Sequence, residues 1–161
     1  MASILNEALA RRAFEKVRPA LELMMREAMP DRLGCAVVVA ATDAVGPPAG
    51  QAPFRARCHL VASIGDLSRS PYPNMDIALK KAEMSARTGL PTAALAPHHL
   101  QAGDTVYSGS AVIEGIVVAC AGLEPRDDEM FSYWIASAVK AEASRALAEY
   151  VARRSDADFI D

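Results

Sequence analysis

Aromatic residues make up only 6% of this 161-residue chain, so its core must be filled by alanine, valine, leucine, isoleucine and methionine. Cysteine is scarce as well. Cys35, Cys58 and Cys120 are widely spaced and odd in number, which excludes a complete disulfide framework. Each stands in an apolar, strand-like run and is expected to be a small buried hydrophobe. There is no basic surplus: seventeen Lys and Arg against twenty Asp and Glu give a net charge of −3. A nucleic-acid binder needs a concentrated basic face, so nucleic acid is not an expected partner. The pairs Arg11–Arg12 and Arg153–Arg154 stand beside acidic residues and read as solvated helix faces. No stretch approaches the ~18 uninterrupted apolar residues of a membrane span. No apolar run follows a basic leader at the N-terminus, and a soluble cytoplasmic protein is the expectation. GxGxxG, Walker and nucleophile-elbow sequences are missing too, which leaves nucleotide binding and serine hydrolysis without support.

What is present fits one domain over residues 1–154, with an acidic, frayed tail at 155–161. Residues 3–29 carry a helical apolar stripe with Ser3 as a capping candidate, and Pro19 predicts a kink or joint near Val17–Arg18. CAVVVAAT at 35–42 reads as a strand covered on both faces. The Gly- and Pro-rich stretch 43–53 is a loop, and Arg57–Ile64 alternates like a strand with one wetter face. A helix follows, capped by Asn74 or Asp76 and closed near Thr88 by Gly89 in the left-handed conformation and Pro91. Two strands are expected around Thr105–Ser108 and Val112–Cys120, turning at Gly109–Ser110. A last helix starts near Arg126–Asp128 and runs to about Arg154, with its acids first and its bases last, as the helix dipole favours. The order predicts an α+β fold, an antiparallel sheet with helices packed on it.

Two segments carry a more specific signal. Lys81-Ala82 continues through Ser85 and Ala86 to Gly89, Pro91 and Thr92, and an apolar strand ends at Gly122 just before Asp128-Glu129. These resemble the GlcG/HbpS-like family, which includes haem-binding proteins and the C-terminal domain of PduO-type proteins. The likeness extends in element order over about residues 5–150. It implies a profilin-like or roadblock-like antiparallel sheet of about five strands between helices, a homo-oligomer, and a small-molecule ligand, with haem as the cofactor some members bind.

For the chemistry, His98-His99 is the first candidate, because a neutral imidazole coordinates haem iron or a first-row metal. The plain alternative is a polar loop, since no third ligand stands at a metal spacing. The resemblance adds Lys81, which would pair with a propionate or another carboxylate, against the plain reading of a solvated lysine. It also adds Thr92, whose other partner is turn backbone. His59 reads as a histidine on the wetter strand face. Asp127, Asp128 and Glu129 read as the acidic first turn of a helix or, alternatively, as carboxylates for acid–base work. A small-molecule-binding protein is the leading expectation. The alternative is a small catabolic enzyme in which a His and an Asp or Glu act on a carbonyl or carboxylate substrate.

Overall fold

The computed structural model describes residues 3–46, 52–154 and 158–160. Residues 47–51 of the expected Gly/Pro-rich loop, and 155–157 and 161 of the expected acidic tail, lie outside the described residues. The elements follow in the order α1 (Glu7–Ala28), β1 (Gly34–Ala41), a single turn α2 (Phe54–Arg57), β2 (Leu60–Gly65), α3 (Asn74–Thr88), β3 (Ser110–Ile113), β4 (Ile116–Ala121) and α4 (Pro125–Arg153). Short 3-10 turns at Thr92–Ala94 and Pro97–His99 interrupt the connection from α3 to β3.

The strands form one antiparallel sheet in the order β2-β1-β4-β3. Among the described residues it has four strands rather than about five. The expected strand at Thr105–Ser108 is irregular, and the hairpin it belonged to lies four or five residues further along the chain. Its turn is Glu114–Gly115, both with positive φ (50° and 85°), the two-residue geometry whose twist matches paired strands. Glu is a poor residue for that conformation, which is why the turn was not legible and the flexible Gly109–Ser110 looked the better one. The alternation over Arg57–Ile64 is likewise only partly strand, because Phe54–Arg57 closes a helical turn first.

The remaining differences are local. Asn6, not Ser3, caps α1 by accepting the Leu9 N–H, and the helix runs unbroken through the exposed Pro19. Gly89 ends α3 at φ 71° as expected.

The pleat divides the core in two. Cys35, Val37, Val39, Val118 and Cys120 point to one face and pack with Leu9, Phe14, Phe131 and Ile135 of α1 and α4. Ala36, Val38, Ala40, Val117, Ala119 and Ala121 point to the other, against Ala78, Ala82 and Ala86 of α3. Seven of those nine residues are alanines, so α3 approaches the sheet closely. Groups on this helix thereby come within reach of strand backbone. No helix among the described residues is long and apolar enough to cross a membrane.

Because Glu114 holds a left-handed conformation, replacing it with Asn should raise stability by about 0.5–1 kcal/mol. The exposed Glu114–Lys140 pair that is lost contributes little. Thermal melting of the two proteins checks this.

Candidate functional site

Helical spacing puts Lys81 on the buried side of α3 with Ala78, Ala82 and Ser85, and only 1% of the residue is exposed. A lysine so placed must find partners. Its Nζ donates to the Cys120 carbonyl at the end of β4 (2.8 Å) and to Asp128 Oδ2 in the first turns of α4 (2.9 Å). The other Asp128 oxygen accepts the Leu123 N–H at 3.1 Å. One buried ion pair therefore joins α3, the end of β4 and the start of α4. Burial pushes the Asp128 carboxyl above its ordinary value, and the charge and hydrogen bond of Lys81 oppose that shift.

Gly109 makes room for the pair. A Cβ there would stand 2.5 Å from the Asp128 Cβ and 2.8 Å from the Lys81 Nζ, and the residue's φ is 132°. Its neighbours are held by hydroxyls. Thr92 Oγ1 accepts the N–H groups of Gly109 (3.0 Å) and Ser110 (3.1 Å), while Ser110 Oγ accepts the Thr92 N–H (2.8 Å) and lies 2.7 Å from Ser85 Oγ. Ser132 Oγ is 2.8 Å from both the Gly109 and Asp128 carbonyls.

Above the pair lies a cleft of about 390 Å³, with Lys81 and Asp128 in its floor. Its walls come from the start of β1 and the Ala121–Pro125 segment on one side. On the other stand Ile77, the buried Asn74, and two tyrosines, Tyr72 and Tyr107, that are 57% and 46% exposed. Arg32 and Glu124 pair at the mouth. Two cationic side chains (Arg32, Lys81) face three anionic ones (Asp31, Glu124, Asp128), so bulk charge does not select an anion here.

The four residues singled out from sequence are thus dispersed. Lys81 is in the cleft floor, and the solvated reading of it is corrected by its burial. Thr92 is buried behind the floor and binds the backbone of 109–110 rather than its own turn. Neither His98 nor His99 lines the cleft; they sit beyond the opposite end of α3, where Arg87 donates to the His99 carbonyl (3.1 Å) and pairs with Asp104. His98 is exposed, and His99 Nδ1 accepts the Ala96 N–H at 3.2 Å. Among the described residues no cluster of three or more His, Cys, Asp or Glu is placed to hold a metal. His59 is half-buried, which pulls its pKa below the ordinary value. The Cys35 thiol is pushed well up by its hydrogen bond to Cys120 and by burial, and burial raises Cys58 to about 11, so neither is set up as a nucleophile.

Asp128 as Lys81's partner was missed, although a signal existed. Each lies on the apolar stripe of its helix, Lys81 with Ala78 and Ser85 and Asp128 with Phe131, Ser132 and Ile135. Two opposite charges on two buried faces call for each other.

No protein-family model matches this chain, and no curated protein matches its sequence. Among solved structures, the crystal structure of Ybr137w protein is similar, with a TM-score of 0.52 over 82% of this chain and 77% of that one, at 12% identity. The likeness is one of fold alone.

Lys81→Met, which strands the Asp128 carboxylate, should cost about 3–5 kcal/mol in urea denaturation, and Lys81→Met with Asp128→Leu should recover most of that loss. A second expectation concerns pH. Hydrogen bonding to Arg87 holds the Asp104 carboxyl below the ordinary 3.8. The folded state therefore binds fewer protons there, so this stability is complete above the ordinary value and lost as pH falls through the lower folded one. Acid titration of Asp104→Asn should show a shallower loss over that range than the wild-type protein.

Proposed function

We propose that this is a small-molecule-binding protein whose ligand sits in the cleft over the Lys81–Asp128 pair. The observation that carries this reading is a count of protons. An ammonium has three to donate; Lys81 commits two, to Cys120 O and Asp128 Oδ2, and the third has no partner among the described residues. A ligand oxygen, carbonyl or carboxylate, would complete it. Tyr72 and Tyr107 supply amphipathic surface for a flat body, and Asn74 supplies a polar edge. The balanced charge of the lining favours a ligand whose polar group is small relative to its apolar part.

A GlcG/HbpS-like assignment would make that ligand haem. The cleft does not favour it: tyrosines are the only haem-ligating side chains in its lining, and the two histidines lie elsewhere. The second reading, an enzyme acting on a carbonyl compound, draws on the raised Asp128 carboxyl beside an ammonium in the same cleft. In that case the acid–base pair is Lys81 and Asp128, with no histidine in it.

Calorimetric titration with benzoate and acetophenone, and haemin titration followed at the Soret band, separate these readings. We expect saturable binding of an aromatic carboxylate or ketone, weakened about tenfold or more by Tyr107→Ala or Tyr72→Ala (~1.4 kcal/mol) and unchanged in His98→Ala and His99→Ala. Binding that survives both tyrosine variants, or no binding of either probe, sinks the cleft reading. A Soret band lost in one histidine variant would establish haem at the 98–99 turn instead.

A further inference from the structure

Of the four lysines, three reach solvent and pair there with carboxylates: Lys16 with Glu142, Lys80 with Glu83 and Lys140 with Glu114. Lys81 is the buried one, 1% exposed, and it lines the floor of the cleft. A desolvated lysine beside a group that takes its proton is the setting in which an amine attacks carbonyl compounds. Three features of the site meet that description. Nζ commits two of its tetrahedral positions to Cys120 O and Asp128 Oδ2, and the third, where a new bond would form, has no partner among the described residues. Asp128 Oδ2 already accepts an ammonium proton at 2.9 Å, and burial raises that carboxyl, which eases the transfer. Position 109 is a glycine; a Cβ there would stand 2.8 Å from Nζ, so no side chain crowds the amine from that side.

The geometry points to Lys81 as the site of reversible imine formation with an aldehyde or ketone bound in the cleft. This rests on the cleft reading above and names the ligand class. A proton of the ammonium passes along the existing hydrogen bond to Asp128. Rotation about Cε–Nζ turns the freed electron pair to the cleft, where it bonds to the carbonyl carbon. The π pair goes to the carbonyl oxygen, which takes a proton from the nitrogen. Asp128 then returns its proton to that hydroxyl, water leaves, and the nitrogen pair closes C=N as an iminium. Nothing is oxidised or reduced, and one water is released per ligand. Charge selects this chemistry over acyl transfer. The iminium keeps its positive charge and one N–H for Asp128, whereas an amide is neutral and would strand the buried carboxylate. The Cys120 carbonyl gives up its donor in either case. Ile77, one turn before Lys81 on α3, and the tyrosines of the wall fit a carbonyl carried on an apolar or aromatic body.

Benzaldehyde with cyanoborohydride tests this, because reduction fixes an imine as a benzyl amine that peptide mass mapping assigns to one lysine. On the folded protein Lys81 should be labelled at least about tenfold faster than Lys16, Lys80 or Lys140, since a bound carbonyl is held at the amine. Tyr107→Ala, an exposed substitution, should slow the labelling of Lys81 and leave the other three lysines unchanged. Unfolding in urea should abolish the preference. Saturable benzaldehyde binding by calorimetry, with Lys81 labelled no faster than the surface lysines, would overturn the imine and leave the cleft reading standing. No binding and no preferential label would overturn both.

Discussion

The architecture at the site hangs on one buried ion pair. Lys81 and Asp128 come from helices on opposite faces of the sheet, and they meet at the Cys120 carbonyl near the end of β4. Taking both charges out of water carries a desolvation cost of several kcal/mol per ion, and only good geometry and further hydrogen bonds offset it. That geometry is supplied from every side: by the Cys120 carbonyl, by the Leu123 N–H, and by a glycine at 109 where any side chain would collide. A pair held so firmly fixes the relative placement of α3 and α4, and with it the two walls of the cleft.

The alanine-rich face of the sheet makes this arrangement possible. Large side chains between α3 and the strands would hold the helix away, and an extended lysine would fall short of a strand carbonyl. Ala36, Ala40, Ala119 and Ala121 meet Ala78, Ala82 and Ala86, and Ser85 reaches Ser110 directly. The same crowding explains why the hydroxyls of Thr92, Ser110 and Ser85 are bound to one another and to backbone. In so tight an interior each must be satisfied on the spot, which leaves Thr92 no free group to offer a ligand.

Much of the fold was legible because its signals are periodic. The β-branched run at 35–42, the stripe of α1, the Gly89–Pro91 stop and the dipole-ordered charges of α4 each follow from local chemistry. The second hairpin was not, because its turn sets Glu114 in a conformation that sequence disfavours, and the strands' own pairing overrides that preference. At the site, sequence pointed to Lys81 but not to its role. Burial of a lysine is decided by what lies 47 residues away, and only the apolar stripes of the two helices hinted at it. Adjacent histidines drew attention by residue type alone, and type does not say which end of a helix a loop will reach.

The connection between α3 and β3 has few anchors: the Thr92 hydroxyl clasp at its end, and the Arg87–Asp104 pair with its tie to His99 in the middle. Tyr107 rides on the span between Asp104 and Gly109, which has no ladder bonds of its own. The cleft is therefore asymmetric in stiffness, with strand and helix termini on one side and a short strap carrying an aromatic ring on the other. In such a site the rigid side sets which shapes fit, while the compliant side sets how quickly a guest enters and leaves. For the ligand proposed above, selectivity and residence time would then depend on different stretches of sequence, each free to change without the other.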